Sequence, residues 1–164
     1  MTRVLVLAAG NEMRGDDAAG PALVAYVERL AVPGVRTVFD FQFQVEHAVD
    51  VAAADLALFI DAHVSQLRPV VFSSLDACAA PLPGTHALSP AEVLGVARQL
   101  GLAMPPVFVL SVAGSTFELG AGMSAGTRQA CSQAEALLAA LLASPTVGAW
   151  QAHALEAGAH DACS

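Results

Sequence analysis

Two adjacent carboxylates, Asp16 and Asp17, stand in the segment AGNEMRGDDAAG, just after an apolar run that ends at Gly10. A turn entering a helix usually receives an anion, so either residue can cap the helix and complement its dipole. A carboxylate can also hold a cation or move a proton, and Asp61, closing the apolar run LALFIDA, offers a partner for that chemistry. Packed together, Asp17 and Asp61 would raise at least one pKa unless a metal or a proton offsets their charge. The third group is His86, in PLPGTHALSPAEVL, just ahead of a helix start. Taken alone it is an ordinary loop histidine. With the two carboxylates it completes a mixed nitrogen and oxygen donor set suited to nickel or zinc. Asp16 is assigned to the helix cap.

These residues need a scaffold that brings distant strand ends together. RVLVLAAG fits a buried strand, and AAGPALVAYVERLA carries apolar residues at helical spacing until Pro33 and Gly34 stop it. VRTVFDFQF reads as a strand, EHAVDVAAA as a short helix, LALFIDA as a third strand and PVVFSSL as a fourth. SPAEVLGVARQLG opens with a Ser-Pro helix start, PPVFVLSVAG makes a fifth strand, and SAGTRQACSQAEALLAALLAS is a long closing helix. The alternation predicts a single three-layer α/β/α domain, residues 1–145, with a twisted, mostly parallel five-stranded sheet. Residues 146–164 read as a flexible tail. In such sheets the crevice lies at the carboxyl ends of the strands, where Asp17 and Asp61 fall after the first and third. His86 precedes the third helix and can reach the same crevice. The remaining histidines are weaker candidates: His47 on a helix face, His63 two residues past Asp61, His153 and His160 near the end. STFELGAGMS reads as glycine-rich punctuation.

Composition excludes several classes. With 164 residues, 55% of them hydrophobic, the chain has the material for one domain with a sizeable core. No apolar run approaches the ~18 residues of a membrane span, and VLVLAAG enters a charged turn without a cleavage region, so a cytoplasmic, unprocessed chain is expected. A formal charge of −8, from 15 acidic against 7 basic residues, opposes nucleic-acid binding. Cys78, Cys131 and Cys163 are widely spaced and form no CxxC, which points to reduced, incidental thiols.

In order and spacing, VLAAGNEMRGDDAAG, FIDAHVS, THALSPAEVL and SVAGSTFELGAGMS resemble the hydrogenase maturation endopeptidases, over roughly residues 3 to 143. These enzymes remove a carboxyl-terminal extension from the large-subunit precursor of nickel-iron hydrogenases. The resemblance implies a phosphorylase/hydrolase-like fold, and it places the metal-recognising and catalytic positions on Asp17, Asp61 and His86. It implies that the nickel arrives with the precursor, with zinc or cadmium able to substitute, and that neither nucleic acid nor membrane is a partner. Two features depart from the family pattern. Ala8 stands where the family has its first glycine, so the backbone there must accommodate a Cβ. Where many members carry Gly-Thr, this chain has DFQFQVEH, with Gln42 and Gln44 as hydrogen-bonding groups.

The motif reading leaves a water nucleophile, activated by Asp17, by Asp61 or by the metal, because no serine or cysteine with an attendant base is evident. A non-catalytic metal sensor or a receiver-like module is the alternative. Receivers share the acidic pair and the later aspartate, but they need a lysine after the fifth strand, and this chain has no lysine. A dinucleotide module fares worse, since AAGNEMRGDD lacks GxGxxG and its carboxylates would repel a pyrophosphate.

Overall fold

The computed structural model describes residues 1–77 and 87–157. The first strand, β1 (Val4–Ala9), is buried at all six positions. Val4, Val6 and Ala8 enter one apolar cluster and Leu5, Leu7 and Ala9 the other, so the strand is covered on both faces. That explains its unbroken apolar run, where a half-exposed strand would alternate. β3 (Leu56–His63) repeats the pattern: Leu56, Leu58 and Ile60 face one layer, Ala57 and Phe59 the other.

With β2 (Val35–Asp40), β4 (Val70–Ser74) and β5 (Val107–Ala113), the sheet runs β2-β1-β3-β5-β4. All neighbours are parallel except β4, which pairs antiparallel to β5 at one edge. The five-stranded, mostly parallel α/β architecture expected from the alternation is therefore present, with β1 and β3 adjacent. α1 (Ala19–Leu30) and α4 (Ala125–Ala143) pack on one face; α2 (His47–Ala52) and α3 (Pro90–Gln99) cover the other. α3 starts at a capping box: the Ser89 hydroxyl accepts from Glu92 N at 3.2 Å, and Glu92 Oε1 accepts from Ser89 N at 2.9 Å.

Three boundaries differ from the sequence reading. β2 stops at Asp40, because the Asp40 carboxylate takes the Phe41 N–H at 2.7 Å and turns the chain. His47 is 4% exposed at the start of α2, not on an open helix face. The composition after Pro145 reads as a frayed tail, yet Val147–Ala157 is a helix, α5, packed on β4. Trp150 is the reason. Its ring is fully buried against Phe72 and Phe108, and its Nε1–H donates to Leu141 O at 2.9 Å. A single aromatic of that size can hold a short helix whose other residues carry little pattern. Residues 158–164 lie outside the described part.

Candidate functional site

The turn after β1 is built tightly around Asp17. A Cβ on Gly10 would run into the Asp17 carbonyl oxygen, so glycine lets the strand end pass directly under the turn. Asn11 then donates its N–H to Asp17 Oδ2 at 2.8 Å, fixing the carboxylate, while its side chain accepts from Met13 N at 2.9 Å. Residues Gly15–Ala18 form one 3-10 turn leading into α1. Ala8, at the family's glycine position, is accommodated because its methyl faces Gly20 of α1, where no side chain competes.

Asp61 approaches from the neighbouring strand. Strand alternation turns it to the same face as Ala57 and Phe59, toward the α2 and α3 layer. Burial pushes its carboxyl up to about 6; a bond from the Ala62 N–H opposes the rise, and the Asp17 charge adds to it. Asp17 and Asp61 thus sense each other at the carboxyl ends of β1 and β3.

His86 lies in residues 78–86, outside the described part, as does Cys78. Among the described residues no group of three or more histidines, cysteines, aspartates or glutamates is placed to hold a metal ion. His63 ends β3 on the same face as Asp61, and its Nδ1 accepts from Ser65 N at 3.3 Å. His47 locks a loop: its Nδ1 accepts from Gln44 N at 2.8 Å, and its Nε2 stands 3.6 Å from Asp40 Oδ2. Gln42 is exposed and Gln44 half-buried.

Asp16 overturns the helix-cap assignment. Ala18 is the N-cap residue of α1 and makes no side-chain cap bond. Asp16 is instead fully buried and gathers donors from the segment between β5 and α4. Its Oδ2 accepts from Ser115 N at 2.7 Å, Thr116 N at 3.0 Å, Ser124 Oγ at 3.0 Å and Ser115 Oγ at 3.3 Å; its Oδ1 accepts from Ser124 N at 2.6 Å. Burial pushes the Asp16 carboxyl upward, but the N–H groups of Ser115, Ser124 and Thr116 and the Ser124 hydroxyl overcome it, holding the group well below the usual carboxylate range. Backbone bonds extend the seam, from Asp16 N to Thr116 O at 2.7 Å, Gly15 N to Ala121 O at 3.0 Å and Gly120 N to Met13 O at 2.7 Å. Gly15 has φ +57°, and a Cβ there would strike Thr116 O. STFELGAGMS is therefore the cradle of Asp16 rather than punctuation. A cavity of about 370 Å³, lined among others by Val64, Leu67, Ser115 and Thr127, opens beside this cradle, away from the Asp17 and Asp61 pair.

No family model matches the chain, and no curated protein matches it. Solved structures do. The maturation protease HycI of Thermococcus kodakarensis superposes with a TM-score of 0.67 at 22% identity, over 87% of this chain and 94% of that one. The hydrogenase maturating endopeptidase HybD of Escherichia coli gives 0.65 at 24% identity, over 87% and 93%. An endopeptidase from Escherichia coli gives 0.65 at 27% identity, again over 87% and 93%. The chain has the fold of the nickel-iron hydrogenase maturation proteases.

Proposed function

We propose that this protein is an endopeptidase that removes the carboxyl-terminal extension of a nickel-iron hydrogenase large-subunit precursor once nickel has been inserted. The observation that carries the reading is the Asp17 and Asp61 pair at the carboxyl ends of β1 and β3, with Asp61 pushed up to about 6. A fold that only needed stability would satisfy such a carboxylate, as it does Asp16. Given one backbone donor, Ala62, among the described residues, Asp61 suits a cation that arrives from outside. In this reading Asp17 and Asp61 grip the nickel carried by the precursor, with His86 as the third ligand, and zinc or cadmium can stand in for nickel.

The peptidase step follows from the same residues. Burial pushes the Asp61 carboxyl up to about 6 while no cation is bound; with nickel gripped, the carboxylates would be ionised and the cation would supply the polarisation that activates water. Asp17, held by the Asn11 N–H, keeps its orientation and contributes charge. A nickel-free precursor leaves the two carboxylates unneutralised, so the peptide is neither held nor oriented, and cleavage is gated by the cargo. Exposed apolar residues near the strand ends, Met13, Phe41 and Leu119, suit a protein substrate better than a small polar molecule.

The test is incubation with nickel-loaded and nickel-free precursor, following the shortened product by mass. Cleavage of the loaded form alone, lost in Asp17→Asn and Asp61→Asn, is expected. Equal cleavage of both forms would remove the gate, and no cleavage of either would leave a metal sensor.

A further inference from the structure

β2 is a sheet edge that nothing in the described structure covers: it pairs with β1 only. Asp40 O accepts from Gly10 N at 3.1 Å, so residue 40 turns its main-chain groups toward β1. Alternation along a strand then turns those of Thr37 and Phe39 to the open side. An exposed edge is ordinarily blunted by charge, proline or a bulge. This one carries aromatic surface: Phe39 is 44% and Phe41 66% exposed, their rings edge to face at 6.2 Å. Val45 and Val49 add apolar surface on the opposite layer.

The segment beyond the edge is held in shape. Phe41 N donates to the Asp40 carboxylate, Gln44 N donates to His47 Nδ1, and Leu88 N donates to Phe43 O at 3.1 Å. Charge decides what can fit. Between Val35 and Asp50 the sequence has Asp40, Glu46 and Asp50 against one arginine, Arg36, whose pairing with Asp50 at 2.8 Å leaves Asp40 and Glu46 as the acidic excess. Two copies of a chain of charge −8 would repel each other along such an edge, whereas a basic partner is attracted. The edge also ends at Asp40, whose carbonyl binds Gly10, the residue that underlies Asp17.

We propose that the open edge of β2 receives an extended segment of the precursor, apolar and basic in alternation, as a sixth strand running to the carboxylate pair. The identity of that segment's source rests on the function proposed above; the edge itself does not. Main-chain bonds from Thr37 and Phe39 give the affinity, Phe39 and Phe41 take apolar side chains, and the acidic residues select basic ones.

The experiment titrates the isotope-labelled protein with a twelve-residue peptide alternating valine and arginine, against one alternating valine and glutamate. The basic peptide is expected to shift the Thr37 and Phe39 amides and to bind at least ~10-fold more weakly to Phe39→Ser/Phe41→Ser. Thr37→Pro, which removes one outward N–H and leaves the β1 side intact, should weaken it by a similar factor. Shifts confined to other surfaces, equal binding of both peptides, or a dimer dissolved by Phe41→Ser would overturn the proposal. In the cleavage assay the double serine variant should raise KM for the loaded precursor; unchanged KM would also overturn it. If the unmodified protein cuts no precursor, the proposed function fails, while the peptide titration still decides the edge.

Discussion

Asp16 is fully buried and Asp61 half-buried near the same end of the sheet, and they reach opposite electrostatic states. Five hydrogen bonds converge on Asp16, three of them from backbone N–H groups, and its carboxyl is held far toward the ionised form. Among the described residues Asp61 has one backbone donor, Ala62, and feels the charge of Asp17, and burial pushes its carboxyl up to about 6. The difference separates a charge that the fold uses from one that the fold tolerates. Asp16 binds the turn after β1 to the segment before α4, whereas the burial of Asp61 disfavours its charged form.

The largest expected effect comes from breaking the satisfied side. Asp16→Asn keeps the shape but replaces one acceptor oxygen with an NH₂ that meets the donors of Ser115, Thr116 or Ser124. Removing one side of a buried charged network costs on the order of 3–5 kcal/mol. Urea denaturation should show that loss, and cleavage should fall with it because Asp17 shares the turn. A cost under ~1 kcal/mol would reduce Asp16 to the modest cap that its position before α1 suggests.

The unsatisfied side should respond with the opposite sign. The folded pKa of Asp61 lies above the ordinary carboxylate value, so its protonated form favours the fold. Its contribution to stability is therefore complete below ~4 and is lost as pH rises through about 6. The displacement corresponds to roughly 3 kcal/mol at ~1.4 kcal/mol per pH unit. Asp61→Asn should stabilise the metal-free protein at pH 7 by up to that amount while abolishing cleavage. Thermal unfolding in chelator, paired with the cleavage assay, checks both; a destabilised Asp61→Asn would mean that the group is satisfied after all.

A pH series sharpens the contrast further. Asp16, with its depressed pKa, stabilises the fold above its ordinary titration range and stops doing so only as pH falls well below it. The Asp61 contribution to metal-free stability should decline from pH 4 to pH 7, read as the difference between the unmodified protein and Asp61→Asn at each pH. Cleavage should run the other way, rising with pH as protons stop competing with the nickel for Asp61.

The two carboxylates also differ in how far their roles are written in the sequence. The placing of Asp17 and Asp61 near the ends of β1 and β3 is legible, because apolar runs of that length with both faces buried mark adjacent central parallel strands. The role of Asp16 is not legible, since its partners stand 99 to 108 residues away and are ordinary loop serines and threonines. Periodicity reports which face of an element is buried; it carries no signal for N–H groups converging from a loop. His47 and α5 were hidden for a related reason. Burial of the imidazole follows from the turn after Asp40, and α5 depends on the single residue Trp150 finding Phe72 and Phe108 across the sheet.

The smallest effects should come from the hydroxyls around Asp16, and their order tests whether backbone or side chains hold that charge. Ser124 gives Asp16 both its N–H and its Oγ–H, and its oxygen also accepts from Thr127 N at 3.3 Å as the N-cap of α4. Ser124→Ala keeps the N–H at 2.6 Å but loses the hydroxyl bond and the cap, which predicts about 1–2 kcal/mol. Ser115→Ala also keeps its N–H, at 2.7 Å, and loses only a 3.3 Å hydroxyl contact, so a cost below ~0.5 kcal/mol is expected. The double variant should be close to additive, because the three backbone donors still satisfy both carboxylate oxygens. Denaturation midpoints of the three variants measure this directly. If Ser115→Ala alone approached the loss expected for Asp16→Asn, the hydroxyls would be the true anchor, and the distinction between Asp16 and Asp61 would rest on side chains instead of on the backbone of the segment before α4.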